Sequence, residues 1–198
     1  MRLRLIGSFL LTLTLVTGCS MTHGDPRNPK QNPHPTERYE ITATTDGPGP
    51  WDSVSAYVGY DVVTPQCTPE AKFLGVHALP RDVGRDVEMT RVGEKTWKGY
   101  FHRDFMLDED YYGLGACHWD ATSVTANFTV HGIRFNSGSR LDGFLRKGPQ
   151  SNFFRKSFYE THLPTLNSIP GFSSINPQVV QQPDAFFSIT VAVNEIAP

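Results

Sequence analysis

Apolar and polar residues alternate through much of this chain. Tyr39, Ile41 and Ala43 occupy every second position, as do Val54, Ala56, Val58, Tyr60 and Val62. Val124, Ala126, Phe128 and Val130 repeat the pattern, and so do Phe187, Ile189, Val191 and Val193 near the C-terminus. Successive side chains of an extended chain point to opposite faces, so a period of two sets one row on a core and the other in water. These four runs predict half-buried strands. Less regular strand candidates are 73–78, 87–92, 97–101 and 112–119, with Gly93-Glu94-Lys95 reading as a hairpin turn. Few segments keep a helical period. Seven or eight short strands separated by turn residues predict an all-β fold, an antiparallel β-sandwich.

Two stretches depart from the alternation. Residues 136–182 are rich in Gly, Ser, Pro and Asn and carry the aromatics Phe144, Phe153, Phe154, Phe158 and Tyr159. They predict one long irregular insertion, in which 153–162 has the composition for a short helix. Residues 20–36 contain Pro26, Pro29, Pro33 and Pro35 among Asn, Gln, His and Lys. Such a stretch buries too little apolar surface to order itself, and reads as a semi-extended, flexible tether. Residues 37–198 then form one domain, long enough for a sizeable core.

The first residues change the picture of where this domain works. Basic Met1-Arg2-Leu3-Arg4 precedes a mostly apolar run from Leu5 to Val16, and Thr17-Gly18-Cys19 follows. A basic start, an apolar stretch of about a dozen residues and a small-residue exit describe a secretory signal over 1–18, too short to span a bilayer. Val16-Thr17-Gly18-Cys19 resembles the lipobox of bacterial lipoproteins. The resemblance implies cleavage before Cys19, a lipid on its thiol and, with Ser20 rather than Asp next, the outer membrane. With Cys19 so used, Cys67 and Cys117 remain as an even pair in an oxidising compartment, which predicts a disulfide. A bridge across about fifty residues would contribute roughly 4 kcal/mol through the unfolded chain.

Charge narrows the partners. Without Arg2 and Arg4 the 18 basic residues fall to 16, against 20 acidic ones, a formal charge of −4. That argues against a general nucleic-acid binder. No Cys-x-x-Cys, HxH or HxxxH pattern occurs among His23, His34, His77, His102, His118, His131 and His162, so no local zinc signature exists. A site combining His102 and His118 with Asp104 or Asp120 would require neighbouring strands; isolated surface or strand histidines are the plainer reading. Gly138-Ser139 is read as part of a loop and lacks the context of a nucleophile elbow. Cys117 and His118, adjacent in a strand, would face opposite ways. No P-loop or dinucleotide fingerprint occurs. The chain therefore reads as a binding protein rather than an enzyme, with no metal or cofactor.

Two surfaces offer themselves for binding. Asp104, Asp108, Glu109 and Asp110 suggest an acidic edge; their spacing fits no EF-hand loop, and a solvated connection is the alternative. Arg134, Arg140, Arg146, Lys147, Arg155 and Lys156 oppose only Asp142 and Glu160, a local excess of four positive charges among aromatics. Arginine and aromatic residues are enriched at interface hot spots, although phenylalanines can equally complete a core. The partner-contact candidates are Asp108, Glu109, Asp110, Arg146, Phe153, Phe154, Arg155 and Phe158.

The stretch from Asp108 to Trp119, Asp-Glu-Asp-Tyr-Tyr-Gly-Leu-Gly-Ala-Cys-His-Trp, is similar to a pattern in small proteobacterial lipoproteins. Some such lipoproteins are immunity proteins that block toxins delivered by type VI or type IV secretion systems. The resemblance implies a lipid-anchored periplasmic domain that covers a secreted toxin. A structural outer-membrane lipoprotein of an envelope machine is the alternative within the binding class, and an envelope hydrolase the alternative outside it.

Overall fold

The computed structural model describes residues 23–71, 73–78, 80, 82–160 and 167–197. The leader, Cys19, Ser20 and His162 lie outside them. In chain order the elements are β1 (Arg38–Thr45), β2 (Ser53–Val62), β3 (Glu70–Ala71), β4 (Val76–His77), β5 (Val83–Glu88), β6 (Thr90–Gly93), β7 (Thr96–His102), β8 (Trp119–Val130) and β9 (Ile133–Arg140). They continue with α1 (Leu141–Lys147), β10 (Gln150–Arg155), α2 (Lys156–Glu160), β11 (Ser168–Pro170), α3 (Pro177–Gln181) and β12 (Phe186–Glu195).

The fold is the all-β sandwich that the alternation predicts. One sheet has the order β10-β12-β1-β7-β6, the other β11-β9-β8-β2-β5, and β3 with β4 makes a separate hairpin. Pairing is antiparallel throughout both sheets except between β11 and β9. The inward rows are those read from the sequence: Tyr39, Ile41 and Ala43 face a core shared with Ala56, Val58, Tyr60 and Val62, while the intervening residues point outward. Trp97 of one sheet meets Phe128 of the other edge-on at 5.2 Å between centroids. Fully burying side chains of this size contributes about 1.5–3 kcal/mol each, which makes this double row the main favourable term in the fold.

Several expectations need correction. The run 87–92 is not one strand: β5 and β6 lie in different sheets and the chain crosses at buried Met89. Gly99 permits that crossing, because a Cβ there would lie 2.5 Å from Met89 Sδ and 2.9 Å from the Glu88 carbonyl. Residues 112–118 form a loop instead of a strand, since Gly113 and Gly115 adopt φ of 74° and 104°, outside extended backbone. Residues 73–78 reduce to the hairpin of β3 and β4, with Phe73 and Leu74 in its turn. Ser139 follows Gly138 within strand β9 rather than in a loop.

The segment 136–182 is more regular than its composition suggests. It holds the end of β9, α1, β10, α2, β11 and α3. Within the described part of the stretch 153–162, helix covers Lys156–Glu160, and Phe153 to Arg155 pair with β12 instead. Residues 23–36 do not stand clear of the domain. Gln31 bridges Met106, Asn32 N–H donates to the Phe105 carbonyl at 2.8 Å, and Gly24 N–H donates to the Asp110 carbonyl at 3.0 Å. Backbone hydrogen bonds to a fixed loop order a stretch whose own apolar content could not.

Strand register defines two ends. At the entry end β1 begins, β2 and β7 finish and β8 starts; Arg103 and Asp120 join the two sheets there. At the far end lie the loop 46–52, the β6–β7 turn and the β8–β9 turn.

Candidate functional site

At the entry end Cys67 and Cys117 are bonded, with Sγ–Sγ 2.01 Å and Cα–Cα 5.1 Å, as their parity predicts. Around this cystine the acidic residues are engaged by the chain itself. Asp104 accepts the Thr36 N–H at 2.8 Å, the Glu37 N–H at 3.0 Å and the Thr36 hydroxyl at 3.2 Å. Burial pushes its carboxyl pKa up, but these bonds outweigh burial and hold it below the usual value. Asp108 accepts the Trp119 N–H at 2.9 Å and pairs with His118 Nδ1 at 2.6 Å. Glu109 holds Lys30 Nζ at 2.6 Å. Asp110 accepts the N–H groups of Tyr112 and Gly113 at 3.1 and 2.7 Å; burial again opposes, and the backbone bonds win, lowering its pKa. Asp108, Glu109 and Asp110 fasten the loop and the incoming chain, with Asp108 still exposed to solvent.

These bonds also separate the histidine group considered from sequence. Asp104 is held by 36–37, Asp120 binds Arg103 at 2.7 Å through both oxygens, and His118 turns to Asp108. Among the described residues no three His, Cys, Asp or Glu side chains are placed to hold a metal ion.

The basic–aromatic candidates are dispersed. Phe154 is fully buried, 5.5 Å from both Phe135 and Phe187, and completes the core. Phe158 is half-buried against that core. Phe153 exchanges backbone hydrogen bonds with Phe172, both 2.8 Å. Arg155 lies over the Phe186 ring at 5.1 Å and donates to Gln178 Oε1 at 3.0 Å. Arg146 sits apart on α1, paired with Asp142 at 2.9 Å. Of the four residues Phe153–Arg155 and Phe158, only Arg155 combines partial exposure with a charge.

A broad concavity lies at the far end. Thr45, residues 47–54, Arg91, Glu94, Lys95 and Trp97 surround a cleft of about 460 Å³, against about 180 and 100 Å³ for two others. The turn-rich run Gly47-Pro48-Gly49-Pro50 delivers Trp51 to its floor. Trp51 packs against Tyr159, Phe128, Phe135 and Phe187 at 5.1–5.9 Å, mostly edge-on, the geometry favoured by ring quadrupoles. Tyr159 donates its hydroxyl to the Pro50 carbonyl and thereby ties α2 to this loop. Burial, with Asp52 nearby, raises the Tyr159 pKa, so the phenol stays protonated and donating.

Two cations frame the opening. Lys95 Nζ donates to the Gly47 carbonyl at 3.2 Å, and Arg91 Nε to the Gly93 carbonyl at 3.1 Å. Arg91 also lies over Trp97 at 5.7 Å. Both side chains thus hold their positions through neutral carbonyls. The cleft offers two indoles and the cations Arg91 and Lys95 alongside the carboxylates Asp52 and Glu94, a combination suited to an apolar or aromatic side chain whose own carboxylate is directed at the cations. Sequence reading passed over Trp51; the available signal was a lone tryptophan directly after the Gly-Pro-Gly-Pro turn.

Comparison with known proteins adds no relative: no protein-family model matches the chain, and neither a curated protein nor a solved structure matches it. Among the described residues no helix is long and apolar enough to cross a membrane.

Proposed function

We propose that the chain is a lipoprotein anchored through Cys19, facing the periplasm, whose sandwich binds a protein partner at the far end and serves as an immunity protein against a secreted toxin. The observation that carries the binding site is the Trp51 cleft with Arg91 and Lys95 at its mouth. Interface hot spots favour tryptophan and arginine in pockets that exclude water. The leader and lipobox support the anchor, and the Cys67–Cys117 bond suits an oxidising compartment. Neutralisation would proceed by occlusion: a toxin segment carrying an apolar side chain and a carboxylate enters the cleft, and the surrounding loops cover the toxin's active site. Arg155, on the same half of the molecule, extends the contact.

The test uses the full chain, affinity-tagged at its C-terminus and crosslinked in cells of its source organism. The expected result is recovery of one secreted protein at about equal stoichiometry. Cells making that protein should need this chain to survive, and Arg91→Glu with Lys95→Glu should abolish both recovery and protection. Recovery of envelope-machine subunits, unchanged by the double substitution, would overturn the reading in favour of a structural lipoprotein.

A further inference from the structure

The connection from β2 to β5, residues 63–82, ends in an apolar tip that the domain does not cover. Its base is fixed: Cys67 is bonded to Cys117, and the Thr68 carbonyl meets His77 Nδ1 at 2.8 Å. At the tip Phe73 is 103% exposed and Leu74 75%, and Val76 beside them is exposed as well. Leu114, in the loop that carries Cys117, is 54% exposed, and Val63 at the end of β2 is also exposed. Scattered single apolar residues on a surface are ordinary, but a fully exposed Phe-Leu pair on a pinned hairpin calls for a surface to cover it. Burying such a pair contributes about 1.5–3 kcal/mol per side chain.

We propose that this end of the sandwich docks on the lipid bilayer, with Phe73 and Leu74 inserted among the acyl chains near the headgroups and Leu114 beside them. The inference rests on the lipid-anchor reading of Cys19. What selects lipid as the occupant is where the described chain begins. His23 lies against the 110–113 loop, its Nδ1 3.9 Å from Asp110 Oδ2, and that loop continues to Cys117 and the cystine at the base of the hairpin. Cys19 is four residues before His23, and four extended residues reach at most about 14 Å. A lipid on Cys19 therefore brings the bilayer to the end of the sandwich that carries the apolar tip.

Charge does not drive this placement: Asp104, Asp108, Glu109 and Asp110 cluster at this end, and Arg27 and Lys30 beside the point of entry are already paired with Asp25 and Glu109. The apolar tip and the anchor carry the docking. Tethering makes insertion intramolecular, at an effective concentration on the order of millimolar, so two apolar side chains suffice to set the orientation. The far end, with the Trp51 cleft, then projects into the periplasm, where a partner can reach it.

The test uses the full lipidated chain carrying Phe73→Trp, purified from the envelope and reconstituted into vesicles of phosphatidylethanolamine and phosphatidylglycerol, with or without bromine on the acyl chains. The mass of the mature N-terminal peptide is read on the same sample. Wild-type protein supplies the background from Trp51, Trp97 and Trp119, and its thermal unfolding serves as the fold control. With lipid present on Cys19, the added indole should emit at shorter wavelength than in detergent-free solution and lose about half its intensity to brominated lipid, as interfacial burial requires. Emission characteristic of water, unquenched while Cys19 carries lipid, overturns the docking and leaves the anchor standing. Absence of lipid on Cys19 overturns the anchor and the docking with it. Loss of toxin binding on Phe73→Ser with Leu74→Ser, with quenching absent, assigns the tip to a protein partner and also overturns the proposal.

Discussion

At the entry end, loops are tied by a cystine, by a bidentate Arg103–Asp120 pair and by carboxylates that collect backbone N–H groups. At the far end, the 46–52 loop is held by Trp51 set among four rings, with Lys95 capping its carbonyls. The first kind of bracing depends on redox state and proton activity; the second depends on apolar area and ring packing. The entry end fixes where the chain comes in, and the far end leaves a shaped opening between its braces. The contrast teaches that loops can be rigid at either end by different physics. The far end leaves the wider opening, about 460 Å³ against about 180 and 100 Å³ for two hollows at the entry end.

The largest test of this contrast is the cystine. Cys67→Ser with Cys117→Ser should lower stability by roughly 4 kcal/mol, the chain-entropy value for a bridge spanning fifty residues, as read by urea unfolding. Partner affinity at the cleft should change less than about twofold, because the substituted sites are remote from it. Trp51→Ala should cost about 3 kcal/mol, the low end for a large aromatic since Trp51 is only partly buried. That loss should be the same in oxidised and reduced protein to within about 0.5 kcal/mol, the expected additivity of distant sites.

Asp104 sharpens the comparison through pH. Its folded pKa is lowered from 3.8, so the stabilisation it supplies is complete above the unfolded value and is lost as pH falls through the folded one. Asp104→Asn should therefore cost about 2 kcal/mol near neutrality, the scale of hydrogen bonds to a charged acceptor. The gap between wild type and variant should shrink steadily as the pH is taken below 3.8, while the deficit of Trp51→Ala stays constant. The smallest stability effect belongs to Arg91→Glu with Lys95→Glu, about 1 kcal/mol from lost bonds to loop carbonyls. Partner affinity should nonetheless fall tenfold or more, a change of at least about 1.4 kcal/mol in binding. A double variant that keeps full affinity removes the far end as the binding surface.

Legibility in the sequence followed the local strength of the pattern. β1, β2, β8 and β12 were evident because each buries one face over eight or more residues. β10 was hidden: Phe153 and Phe154 are both apolar, the first half-buried in a strand that also bridges Phe172 through its backbone and the second in the core, so alternation vanishes. β11 is three residues with a proline, paired in parallel at an edge, and has no local signature. The 112–118 stretch misled in the opposite sense, because its aromatics suggested a strand that two glycines with positive φ exclude.

The partner-contact candidates show the same divide. Phe154 carried the right chemistry for an interface and lies in the core; Trp51 carried no pattern and floors the cleft. The sequence alone determined the sandwich, the two long rows of its core and the pairing of Cys67 with Cys117, because strand periodicity and cysteine parity are properties of neighbours and counts. Tertiary structure decided the sheet order, the seat of 23–36 against the 104–112 loop, the exposed Phe73-Leu74 tip and the cleft. Each of these brings together residues from separate stretches of the chain, and nothing in the residues near either partner encodes which distant surface it will meet.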